Sequence, residues 1–69
     1  MIKNNIKQLL IQQGKSIYWL EKQTGITYPT LFKLANNKSE SIKFANLEKI
    51  CNVIGCTLDE LFTIENQQQ

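Results

Sequence analysis

Few residues in this chain are of a type and spacing that could do chemistry. Cys51 and Cys56 stand five apart in CNVIGC. A metal or redox pair is the sharp reading, but there is no histidine, and two thiols alone do not close a zinc site. Cys51 also falls on an apolar helical stripe with Leu47, Ile50 and Ile54. Two reduced thiols, at least one of them in the core, are therefore expected. No serine is paired with a base, the acidic residues are scattered over helix surfaces, and the three glycines are isolated turn or cap residues. Catalysis, a cofactor and a small-molecule ligand are accordingly not expected.

Charge is the remaining lead. Residues 1–43 hold seven Lys and two Glu, a balance of +5, whereas residues 44–69 hold one Lys, three Glu and one Asp, a balance of −3. The basic part suits a polyanion such as nucleic acid. An ordinary solvated surface can carry similar charge, so the residues must also be shown to share a face.

The elements that would position them follow from length and periodicity. With 69 residues, 42% of them hydrophobic, the chain is expected to form one small domain with a thin core. It contains no apolar run of the ~18 residues that would suggest a membrane span. The opening MIKNNIKQLL lacks the apolar stretch and small-residue cleavage site of a secretory signal, so a cytoplasmic location is expected. Ile2, Ile6, Leu9 and Leu10 predict a first helix, ended by Gly14. Ser16 is a cap for a second helix, Ile17 to Thr24, which stops at Gly25. Thr27 caps a third, in which Pro29 is the second residue and disturbs no ladder bond. Asn37 suits a left-handed C-terminal position. A fourth helix starts near Phe44 and closes at Gly55, and Thr57 to Glu60 fit a capping box for a short fifth. No segment shows sustained alternation, so the expected fold is all-α, five helices over residues 1–63, with a polar tail at 64–69 that should fray.

The second and third helices are separated by a turn of about three residues around Gly25, which sets them at a large angle. Leu20, Ile26, Leu31 and Leu34 would then point inward. Tyr28, Pro29, Thr30, Phe32 or Lys33, and Asn36 would face out, on a rod that fits the DNA major groove.

These residues resemble the phage repressor/Cro-type (XRE) helix-turn-helix domain, from about Ile2 to Phe62. The likeness rests on SIYWLEKQTGITYPTLFKL, where Ser16, Leu20, Gly25, Ile26, Thr27, Thr30, Leu31 and Leu34 fall on the family pattern, and on NLEKICNVIGCTLDELF. It implies a helix-turn-helix built from helices two and three, with base contacts from Tyr28, Pro29, Thr30 and Lys33. Lys33 would donate to guanine O6 or N7, and Thr30 or Pro29 would pack on a thymine methyl. Ser16, Ile17, Thr27, Asn36, Asn37, Lys38 and Lys43 are the implied positions along the phosphates. Four departures from the pattern stand out. Ile17 replaces a frequent glutamine and leaves an apolar contact at best. Glu21 replaces a usual alanine, so either its stem lies along the surface or the two helices shift. Leu10 and Ala35 stand where many members pair a buried arginine with a glutamate. Asn37 replaces a glycine. Trp19 is expected to cover the edge of the core, the other reading being a stack on the DNA backbone or on a partner.

The resemblance implies a sequence-specific transcriptional regulator, most readily a small repressor, binding double-stranded DNA at a palindromic operator as a homodimer. Leu58, Phe62 and Ile64 are the candidate dimer surface. In a monomer Phe62 would instead turn inward and Ile64 would lie in the tail. The alternative class is a protein-interaction module, such as an antitoxin or anti-repressor, that keeps the helix-turn-helix as scaffold.

Overall fold

In a computed structural model describing residues 2–64, the chain runs β1 (Ile2–Asn4), α1 (Ile6–Gln12), α2 (Ile17–Thr24), α3 (Tyr28–Ala35), α4 (Phe44–Ile54), α5 (Leu58–Leu61) and β2 (Phe62–Ile64). Two of the five helices, α2 and α5, open on side-chain caps. Ser16 Oγ accepts from the Trp19 amide at 3.0 Å, which opens α2. Thr57 and Glu60 complete a capping box for α5: the Glu60 amide donates to Thr57 Oγ1 at 3.2 Å, and the Thr57 amide donates to Glu60 Oε1 at 2.9 Å. Pro29 lies in the first turn of α3. At the other end Asn37 adopts φ +60°. The amides of Asn37 and Lys38 return to the carbonyls of Leu34 and Lys33 at 3.0 and 2.8 Å, a Schellman closure without glycine.

The expectation of an all-α chain without a sheet is corrected at the two ends. β1 and β2 pair antiparallel, with Ile2 opposite Ile64, Lys3 opposite Thr63 and Asn4 opposite Phe62. Ile2 therefore does not extend the stripe of α1, which starts at Ile6. The cause is Asn4. Its Oδ1 accepts from the Ile6 amide at 3.1 Å, a local bond that competes with continuing the helix backwards. Asn5 then ties the chain to the other terminus, its amide donating to the Leu61 carbonyl at 2.7 Å and its Nδ2 to the Glu60 carbonyl at 3.0 Å. Ile64, placed by the sequence at the start of a tail, belongs to β2. The fraying expected of the remaining tail concerns residues outside those described.

Each of the five helices contributes one fully buried large side chain: Ile6, Leu20, Leu31, Ile50 and Leu61. Burying each stabilises the fold by roughly 1.5–3 kcal/mol relative to exposure. Leu10, Ile26, Leu34, Ala35 and Ile54 complete the same cluster. Leu10 and Ala35 are both inside it, so an apolar packing stands where the family resemblance implied an ion pair, and neither position carries a charge into the core.

Candidate nucleic-acid interface

α3 is placed by the three-residue turn Gly25–Thr27 that separates it from α2. Gly25 adopts φ +78°, a conformation that favours glycine, and its amide donates to the Glu21 carbonyl at 2.8 Å. Thr24 is buried, and its hydroxyl both donates to the Leu20 carbonyl at 2.8 Å and accepts from the Ile26 amide at 3.1 Å. A buried hydroxyl with both roles satisfied fixes the turn without an unpaired polar group. Ile26, Leu31, Leu34 and Ala35 then anchor α3 to the core.

The opposite side of α3 is open. Tyr28, Pro29, Thr30, Phe32 and Lys33 are all exposed, and Asn36 is partly so. The four residues implied for base contact are thus all exposed on α3. Lys38 and Lys43, exposed in the segment leading to α4, add positive charge.

The start of α3 is held by a residue that sequence reasoning left undecided. Thr27 makes no side-chain cap bond; its hydroxyl donates instead to Thr30 Oγ1 at 3.0 Å. Pro29 offers no amide to cap. The amide of Tyr28 is taken by Glu21, whose Oε2 accepts it at 3.2 Å across the turn. The Glu21 side chain thus reaches across the surface of the turn, as the first of its two readings has it. A carboxylate at a helix N-terminus complements the macrodipole and links α2 to α3.

Other candidate positions are partly committed within the chain. Ser16 spends one lone pair on its cap but keeps a hydroxyl hydrogen to donate. Asn36 Nδ2 folds back to the Phe32 carbonyl at 2.8 Å. Asn37 Oδ1 accepts from Asn4, from its amide at 2.9 Å and from its Nδ2 at 3.1 Å. Ile17 is half-buried and packs against the core. Trp19 does the same, with Lys15 Nζ 5.0 Å from its ring centroid, so covering the core edge is the role its surroundings support.

Two features were missed. Tyr28 and Phe32 stack with centroids 6.0 Å apart and 16° between planes. Their i, i+4 spacing could have signalled this pair. Ile2, assigned by the sequence to a helical stripe, is 64% exposed and faces the same open groove of about 1040 Å³ as Leu58, Phe62 and Ile64. Phe62 is half-buried, whereas Leu58 and Ile64 are exposed.

The cysteines lie elsewhere, both free and half-buried. Burial, and then the neighbouring Cys51 thiol, push the Cys56 thiol up to about 11. Such a thiol stays protonated near neutral pH and is a poor nucleophile or ligand. No grouping of His, Cys, Asp and Glu fit to hold a metal occurs among the described residues, and no helix among them is long and apolar enough to cross a membrane.

The crystal structure of a "putative DNA-binding protein from Bacteroides fragilis" superposes with a TM-score of 0.80 at 25% identity, covering 91% of this chain and 100% of that one. No curated protein gives a significant match. A family model described as the Cro/C1-type HTH DNA-binding domain matches residues 5–67. With a match over nearly its whole length, the chain belongs to the Cro/C1-type helix-turn-helix DNA-binding domain family.

Proposed function

We propose that this protein is a sequence-specific transcriptional repressor whose helix-turn-helix is α2 and α3, with α3 entering the major groove. The observation that supports this reading is that Tyr28, Pro29, Thr30 and Lys33 are all exposed on a helix pinned by buried Leu31 and Leu34. Lys33 donates to guanine, Thr30 and Pro29 meet base edges, and Ser16, Thr27, Asn36, Asn37, Lys38 and Lys43 lie along the phosphates, with Ile17 in apolar contact beside them.

One such helix reads only a few base pairs, so the protein acts as a homodimer on a palindrome with half-sites about 34 Å apart. Ile2, Leu58 and Ile64 are exposed and line one groove with half-buried Phe62, an apolar surface that a partner copy would cover. Bound in this way, the dimer represses by covering promoter elements, which places its work in the cytoplasm.

Selection of bound sites from random duplex DNA tests the reading. A palindrome should emerge, and affinity for it should fall steeply as salt rises, because phosphate contacts release counterions. Lys33→Ala should relax the preference at one base position and weaken binding by about 1–3 kcal/mol. Recovery of no preferred sequence, with weak binding at every salt concentration, would favour the interaction-module alternative.

A further inference from the structure

The exposed residues of α3 are more apolar than charged. Tyr28 and Phe32 present stacked rings that are 40% and 48% exposed. Exposed Pro29 stands beside them. The hydroxyls of Thr27 and Thr30 bond to each other at 3.0 Å. Lys33 is the one charged residue of the helix YPTLFKLA. A surface of this kind offers few hydrogen bonds to base edges. It offers instead an aromatic step, and aromatic surface left in water is unfavourable until something apolar covers it. Within the major groove the apolar group displayed by an ordinary base pair is the 5-methyl of thymine. The lysines at 33, 38 and 43 supply charge complementary to the phosphates that flank such a group.

We propose that the Tyr28–Phe32 step reads thymine methyl groups, which makes Phe32 a specificity-determining residue and places at least one thymine in each half-site opposite it. This rests on the DNA-binding reading above and adds to it the kind of base that α3 selects.

The test uses the full chain and the duplex recovered by selection. Each thymine is replaced in turn by deoxyuridine, which removes only the methyl. Wild-type protein should lose about fourfold in affinity at one or more positions per half-site, the factor that burial of one methyl-sized group supplies. In Phe32→Ala that penalty should vanish, so that the two changes are coupled in a double-mutant cycle. Phe32 is outside the buried cluster, so the variant should keep its fold, which circular dichroism checks. Tolerance of every deoxyuridine by the wild type would overturn the proposal, as would a penalty equally large in Phe32→Ala. A wild-type protein that binds no duplex would remove the DNA-binding reading itself, and with it this proposal.

Discussion

Leu31→Ala should destabilise the folded chain by about 2–5 kcal/mol, the range for truncating a buried leucine. Leu31 is 1% exposed and belongs to α3, the helix proposed to meet DNA. Its neighbours in the cluster, Leu20 and Ile50, are themselves without exposure. The effect is large against what is available. At roughly 0.05–0.15 kcal/mol per residue, a domain of this size holds about 3–10 kcal/mol in all. Urea unfolding should show a much lower midpoint with an unchanged slope. An unchanged midpoint would mean that Leu31 is not buried and that α3 is not anchored as described.

Asn4→Ala should cost about 2–3 kcal/mol, the scale of leaving buried polar groups unpaired. Asn4 is 7% exposed. Its Nδ2 donates to the Leu34 carbonyl near the end of α3 and to Asn37 Oδ1, while its Oδ1 accepts from Ile6 at the start of α1. One side chain therefore serves two helices and holds β1 against the C-terminal turn of α3. The sign of the change is as informative as its size. Were Ile2 to Leu10 a continuous helix, alanine at position 4 would stabilise it by a few tenths of a kcal/mol, because alanine is the better helix former. Urea unfolding of Asn4→Ala thus separates the two structures, and a stabilised variant would contradict the terminal sheet.

The helices were legible because their signals are local. Ser16, Thr57 with Glu60, Pro29 and the leucine spacing each act within a few residues, and each does in the fold what its chemistry suggests. The terminal sheet was not legible. Its strands are three residues long, too short for alternation to register, and they pair the two ends of the described chain. Ile2 happens to keep helical spacing with Ile6, and the bond of Asn4 to the Ile6 amide, together with the long-range bonds of Asn4 and Asn5, decides against it. The exposed side of α3 was largely legible, since Leu31 and Leu34 determine which residues face away. The grip of Glu21 on the Tyr28 amide was not, because it depends on how closely α2 approaches α3. The same holds for Asn37, whose side chain is turned toward Asn4 by a contact from the far end of the chain.

The central claim is that α3 meets DNA through the side facing away from its leucines. The most direct measurement is a nuclear magnetic resonance titration of isotope-labelled protein with the selected duplex, followed at each backbone amide. The largest changes should fall at Tyr28, Thr30, Phe32 and Lys33, with smaller ones at Ser16 and Lys43. Amides of α3 that stay unmoved, while changes gather at Ile2, Leu58 and Ile64, would contradict the account.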